Sequence, residues 1–535
     1  MFGFIYKKMK FLLSKSIISN KESKKTSAVT PQLSKILIDN LNSIKDMTSN
    51  SSDIIIREFS FGKNRKISAA LIFVEGLTDL KIINTSIIEP LMYKASFLDS
   101  HVGIGKNSMH DIRNSILSVS DARETKVLDE VIEGFLAGNA VLLISGSDSA
   151  LIISCKGWEK RGISEPATES VVRGPRESFI ESLRTNTAMI RRKIKNPNLI
   201  IETLKLGKRT GTTVNLVFIK GIANAELIKN VKERLNDINT DSILESGYIE
   251  QYIEDAPFSI FSTIGYTEKP DVLAAKLLEG RVAILVDGTP FVLTAPLLFI
   301  EAFQSSEDYY SRPYFASMLR IVRYLAFLTT ILVPALYVSI TTYHHEIIPT
   351  PLLLTMAKAR EGVPFPEVAE SLIMLLVFEI LREAGVRLPQ PVGQAMSIVG
   401  ALVMGEAAVS AGFIGAPMII VIAITAVSSF AVPNQSDAAA MLRIIFLILA
   451  SIMGNFGITM GILGTLVHLS SLKSFGFPYL SPIVPFQAEG LKDTLVRAPL
   501  WFMQRRPNGM ALNDKKRRDL TIPPTKASDY NSEED

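Results

Sequence analysis

The chain has 535 residues, and its 57 Lys and Arg against 53 Asp and Glu leave a net charge of only +4 on a large gross charge. Between Leu388 and Ala488 only Glu406, Asp437, Arg443 and Lys473 are charged, four positions in 101, although charged residues make up 21% of the whole chain. With a mean hydropathy of +0.26, that depletion excludes a single water-soluble globule, a mostly disordered chain and a nucleic-acid-binding domain built on phosphate contacts.

Residues 1–52 read as a basic lead rich in Ser, Asn and Lys, expected to be mostly mobile, with one amphipathic turn around Gln32 to Leu41. Lysines interrupt Met1 to Asn20 too often for a signal-peptide core. Cys155 is the only cysteine, so neither an intrachain disulfide nor a cysteine-based zinc site can form.

Residues 53–137 read as a first α/β subdomain. Ala69 to Val74 is a short strand candidate broken by Glu75-Gly76, and Asp111 to Leu117 and Lys126 to Leu136 have helical spacing, the second stopping at Gly138 as at a helix C-cap. Residues 138–308 read as a second, α+β subdomain. Ala140 to Ile144 with Ala150 to Ser154, and Leu199 to Leu206 with Thr212 to Phe218, are two hairpins; Glu177 to Ile194 and Ala225 to Leu235 have helical spacing. Strands and helices interleave without a strict βαβ rhythm, which favours α+β. Arg281 to Pro296 is apolar enough for a membrane span, yet Asp287-Gly288 between two β-branched runs is a hairpin signal.

Residues 309–472 predict a helical membrane domain of about five spans, at 324–343, 368–386, 388–406, 407–436 and 444–472. Residues 1–25 and 497–518 each carry seven basic residues and one acidic residue. The positive-inside rule would put both ends in the cytoplasm and demands an even number of crossings, which five is not. A re-entrant or interfacial segment would reconcile the two. Leu491 to Met503, inside an interfacial segment at 473–507, reads as a helix at the headgroup layer, and 508–535 as a disordered polar tail.

Glu379 and Glu406 are the sharpest functional candidates, because a carboxylate in an apolar run is expensive toward lipid and turns toward a partner or a water-filled cation path. Glu370 precedes Glu379 by nine residues, about 900° of helix, which leaves the two half a turn apart in direction and unable to face one narrow pore. Gly454, Gly457, Gly461 and Gly464 form a small-residue seam for close helix packing, with a hinge as the lesser reading. Arg173-Gly174-Pro175-Arg176 could hold an anion bidentately or serve as a structural loop at a subdomain interface. The five histidines are too scattered for a metal site, no cofactor motif is present and no catalytic constellation supports an enzyme.

Lys156-Gly157-Trp158-Glu159-Lys160-Arg161, followed by Glu165-Pro166 and Val171 to Glu177, resembles the hallmark of GerA-type spore germination proteins, A subunit. Thr185-Asn186 before Arg191-Arg192, Val286 to Leu293, and Asp493 to Trp501 agree in the same order, with Ser178 standing where Gly is expected. The resemblance implies a nutrient germinant receptor subunit in the spore inner membrane with its soluble region in the cytoplasm. It also implies a permease-like B subunit and a lipoprotein C subunit as partners, and a homo-oligomer whose centre conducts cations. A non-conducting scaffold or signal transducer and a nutrient transporter component are the alternatives.

Overall fold

The computed structural model describes residues 31–62, 67–93, 108–113, 117–119, 121–158, 166, 169–387, 405–507, 510–511, 514 and 516–517. Contacts divide the chain into two units, the first drawn from residues up to 44, 55–74 and 78–156, the second from 45–54, 75–77 and 157 onward.

After α1 (Leu37–Thr48), the first unit is built on β1 (Ile54–Phe61), β2 (Ile67–Val74), β3 (Ala122–Thr125), α2 (Leu128–Leu136), β4 (Ala140–Ile144) and β5 (Ala150–Ile153). The strands form one sheet in the order β1-β2-β4-β5-β3. One face buries Leu71, Leu142, Leu151 and Ile153 against Ile83, Ile87 and Leu91. On the other, α2 comes close enough that a side chain at Gly134 would meet Ile152. The expected boundary at residue 137 is therefore displaced. The 140–153 hairpin supplies the two strands that link β2 to β3, and its removal would leave a split sheet.

The second unit begins with an equivalent layer: α3 (Leu183–Lys193), β6 (Leu199–Leu206), β7 (Thr212–Ile219), α4 (Ala225–Asn236), α5 (Ser246–Ile253), β8 (Gly265–Thr267), α6 (Pro270–Leu278), β9 (Val282–Val286) and β10 (Val292–Ala295). Its order is β6-β7-β9-β10-β8, with every neighbouring pair antiparallel. Leu227, Val231, Ile249 and Ile253 of α4 and α5 cover one face, and Leu183, Ile190, Leu273 and Leu277 of α3 and α6 the other. Arg281 to Pro296 is the hairpin, with Leu293 opposite Ile284 across the Asp287-Gly288 turn.

The two sheets share one plan. Thr125 and Thr267, Gly138 and Gly280, and Gly146 and Gly288 each stand 142 positions apart. The same shift maps the Leu142 and Leu151 pair onto Ile284 and Leu293, and Thr125 and Ala150 onto Thr267 and Val292. Identical strand order and register make the two subdomains a tandem repeat.

A helical bundle follows: α7 (Pro313–Tyr343), α8 (Thr350–Ala359), α9 (Glu367–Arg387), α10 (Ala416–Ser429) and α11 (Ser436–Ser471). Pro313–Tyr343 and Pro433–Ser471 are long and apolar enough to cross a membrane. The expected span 324–343 is the later part of α7, and 368–386 coincides with α9. The expected span 388–406 lies almost wholly outside the described residues. The span 407–436 is not continuous, because the helix at 405–410 ends in a turn before Gly415 and α10 stops at Ser429.

The expected single span 444–472 is also corrected. Inside α11, Gly454 has φ +58 and ψ −140, a backbone region essentially closed to residues with a Cβ. The chain reverses there. A Cβ at Gly457 would overlap the Leu449 carbonyl, and one at Gly461 would lie 2.9 Å from the Phe446 ring, contacts that a straight helix would keep far apart. The seam predicted for helix packing is thus used between the two halves of one element, 436–453 and 455–471, while Gly464 faces open space. Leu491 to Met503 holds only short 3-10 turns, Gly490–Asp493 and Leu500–Phe502, in place of the expected helix; Pro499 removes a donor and disfavours helix in the residue before it.

Candidate functional site

Within the bundle, Glu379 is paired. Its carboxylate accepts from Arg443 of α11 and lies 2.9 Å from Arg382, one turn along α9. Glu370 is the more deeply buried acid. It accepts from Arg360 at 2.7 Å and from the Gly415 backbone at 3.0 Å, and so caps the start of α10 with a charge of the sign that a helix N-terminus favours. Glu406 is exposed on the 405–410 helix. The structure does not bring Glu379 and Glu406 together with Glu370 in one constellation.

The loop at Arg173 to Arg176 sits against the second subdomain. A Cβ at Gly174 would lie 2.9 Å from the Tyr310 ring, so only glycine permits the approach. The Pro175 carbonyl accepts from the buried Lys269 ammonium at 2.8 Å, and Tyr310 donates to Asp271 at 2.5 Å. Arg173 and Arg176 are exposed. Trp158 lies beneath the Arg192 guanidinium, 5.4 Å from the ring centre, and Arg192 donates to Glu177 at 2.6 Å. The neighbouring Arg191 is fully buried and forks onto Asp53, 2.9 and 2.8 Å away. The 287–291 hairpin tip touches the same layer, where Asp287 accepts from the Leu183 backbone at the first turn of α3. Four of the motif stretches quoted for the resemblance therefore meet around α3 and the turn at Tyr310.

From that turn the contacts lead to a charged joint at the base of the bundle. Asp308 is buried, and its carboxylate accepts from Arg320 Nε at 2.9 Å and from Arg323 at 2.8 and 3.0 Å. Arg320, fully buried, also donates to Asp493 at 2.7 Å. Tyr309 donates to the other Asp493 oxygen at 2.8 Å, and its ring lies between the Arg320 and Arg497 guanidinium groups, 5.4 and 5.6 Å away. Three arginines from α7 and the 493–501 motif thus surround two aspartates and a tyrosine. Guanidinium suits this role because its planar fork serves two carboxylates at once and stacks on an aromatic ring.

Asp308 and the arginines of α7 were missed as a site in the sequence. The available signal was Arg320 and Arg323, three apart and so on one helix face, just ahead of an uncharged run. Their partners stand in separate stretches of chain that no spacing connects.

Beside the joint, Glu301 accepts from Arg281 and lies 3.5 Å from Lys276. Burial pushes the Glu301 carboxyl up, but the Arg281 and Lys276 charges outweigh it and hold the group below its ordinary value. Burial lowers the Lys276 ammonium. A depressed carboxyl stabilises the fold above its unfolded value, roughly pH 4.3, and loses that contribution as pH falls through the folded value. Thermal unfolding of purified wild type and Glu301→Gln should therefore differ most near neutral pH and converge only as pH falls through the depressed folded value of the carboxyl. A constant difference would mean that the carboxylate charge plays no part.

Among the described residues no group of three His, Cys, Asp or Glu could hold a metal ion. Burial raises the Cys155 thiol to about 11, leaving it protonated at neutral pH.

The motif stretches and the joint lie inside one region of similarity to known proteins. The profile described as Bacillus/Clostridium GerA spore germination protein matches residues 42–509. The chain belongs to the GerA spore germination protein family. This GerA-family chain is 47% identical to spore germination protein KA of Bacillus subtilis (strain 168), over 93% of its own length and 90% of that protein's. It is 39% identical to spore germination protein B1 of the same organism, over 89% and 97%. Spore germination protein GerLA of Bacillus cereus is 36% identical, over 89% and 96%. A crystal structure of the N-terminal domain of the A subunit of the Bacillus megaterium spore germinant receptor GerK3 matches with a TM-score of 0.41 and 38% identity, covering 51% of this chain and 99% of that one.

Proposed function

We propose that this GerA-family chain is the A subunit of a spore germinant receptor, responding to nutrient and starting germination as an oligomeric, nutrient-gated cation channel in the spore inner membrane. A permease-like B subunit, a lipoprotein C subunit and further copies of the chain are its partners. The two sheet subdomains lie on the cytoplasmic side. The observation that carries the reading is the joint at Asp308, which links the second sheet subdomain, the first long apolar helix and the C-terminal motif through buried charge pairs, a connection that transmission from the soluble region to a membrane pore needs.

The run of the helices supports an even number of crossings. α7 rises from Asp308 to Tyr343, whose hydroxyl donates to the Ser451 carbonyl at the top of α11. α9 and α10 both descend, since Glu370 and Gly415 meet near Val338, while Glu379 reaches Arg443 near the start of α11 and Phe378 packs on Phe430, just ahead of that start. The halves of α11 rise and descend, and His468 returns to Ser259 of the sheet subdomain. Among the described residues the bundle makes five passes, α9 and α10 in the same sense, and an even total leaves both ends in the cytoplasm. That is the parity demanded by the positive charge at each end.

Conductance of the reconstituted A, B and C complex tests the channel. With nutrient present, Glu406→Gln should reduce cation flux with receptor levels unchanged, since Glu406 is the exposed candidate. Glu379→Gln should instead lower stability, because it strands Arg443. Absence of nutrient-dependent current in the wild-type complex would favour a non-conducting transducer, the second reading, which the paired state of Glu379 supports. Saturable nutrient uptake would favour the transporter.

A further inference from the structure

Ala256 to Ser259 is a tight turn closed by the Ser259 backbone N–H donating to the Ala256 carbonyl at 2.9 Å. Pro257 takes the position where its fixed φ is favoured. Phe258 occupies the tip and is completely exposed, 101% relative to the free residue. Nothing in the turn calls for a phenylalanine, whose large ring gains most from leaving water. Neither is the tip a loose excursion. The Ser259 hydroxyl and His468 Nε2 are 2.9 Å apart, the Phe261 backbone donates to the same hydroxyl at 3.1 Å, and the buried Phe261 ring packs on the His468 ring. The turn is fastened to the lower end of the last helical half.

Depth follows from helix length. The half at 455–471 spans roughly 26 Å at 1.5 Å per residue, less than the ~30 Å hydrocarbon core. Its lower end, and with it the turn, then lies at the boundary between acyl chains and headgroups. Val467, next to His468, is 68% exposed and Leu466 52%, so an apolar helix surface opens beside the tip.

We infer that the Phe258 turn is a bilayer anchor through which the second soluble subdomain itself enters the headgroup and acyl boundary. The inference rests on the proposed membrane crossing of α11. Its occupant is a lipid surface, because the turn continues the apolar surface of that helix. The anchor fixes the subdomain's height at the membrane at a point separate from the Asp308 joint, so the soluble layer is held at two places.

The test uses the full chain with Cys155→Ser, so that an added cysteine is the only one. Phe258→Cys, Val467→Cys and Lys208→Cys are each labelled with an environment-sensitive fluorophore and reconstituted into phosphatidylglycerol and phosphatidylethanolamine vesicles. Lys208 lies on the β6–β7 turn at the far end of the sheet. The expected result is quenching of the Phe258 label by doxyl lipid to the extent seen at Val467, with the Lys208 label quenched by iodide alone. Quenching at Val467 but iodide-only quenching at Phe258 would overturn the anchor and leave the crossing standing. Protection of the Phe258 label from both quenchers would also overturn it, in favour of a protein neighbour over the tip. Failure of doxyl lipid to quench at Val467 would remove the crossing and the anchor together.

Discussion

Asp308→Ala should lower the unfolding free energy of the detergent-solubilised protein by about 3–5 kcal/mol, the range for removing one partner of a buried ion pair. The carboxylate answers Arg320 and Arg323 together, and Arg320 cannot turn to water because it is fully buried. Without Asp308, Arg320 keeps only Asp493 as a carboxylate partner, and Arg323 keeps only the Phe303 carbonyl. Asp308→Asn keeps an acceptor of the same shape and should lose less. Replacing Asp308, Arg320 and Arg323 together by apolar residues of similar volume should recover much of the loss, since no uncompensated charge remains buried. A midpoint for Asp308→Ala within experimental error of wild type would remove the joint as a stability determinant, and with it the structural basis offered for signal transmission.

The second large effect is expected at the apex of α11. Gly454→Val forces a β-branched residue into positive φ, costing about 1–3 kcal/mol as backbone strain. Gly457→Val adds a side chain against the Leu449 carbonyl, a main-chain atom that cannot rotate away, and should fall at the upper end of the roughly 1–3 kcal/mol typical of overpacking. Gly464→Val is the control. A Cβ there meets nothing within 4 Å, so the variant's unfolding midpoint should stay close to wild type. If all three substitutions proved equally damaging, the seam would serve a neighbouring helix along its whole length and the reversal at Gly454 would lose its special place.

That apex also shows where sequence reasoning stopped. A glycine in an apolar run reads as a packing surface, and only the backbone angles at Gly454 distinguish a smooth groove from a reversal. The soluble hairpins were easier to read. Leu199 to Leu206 and Thr212 to Phe218 carry the composition of paired strands, and Asp287-Gly288 has the chemistry of a tight turn. The repeat was hidden by the tolerance of the core. β4 reads AVLLI and β9 reads VAILV, which fill equivalent buried positions with different aliphatic side chains, so little identity survives apart from the turn glycines and a few others. Glu379 was legible as a costly carboxylate, but its partner Arg443 lies 64 residues further along the chain. Glu370, set aside for its position relative to Glu379, is the acid that the bundle buries most completely of the two.

The tandem plan of the sheets bears on the order in which the protein is made. Each sheet closes when its fifth strand is available, at Ile153 and at Ala295, and both close before Pro313 begins the first long apolar helix. Domains generally complete their folds in the order of synthesis, so two finished sheets precede the hydrophobic half out of the ribosome. On the proposed membrane reading, the cell then delivers to its membrane a chain whose leading half is already folded, with the Phe258 turn already in place before the helices that cross.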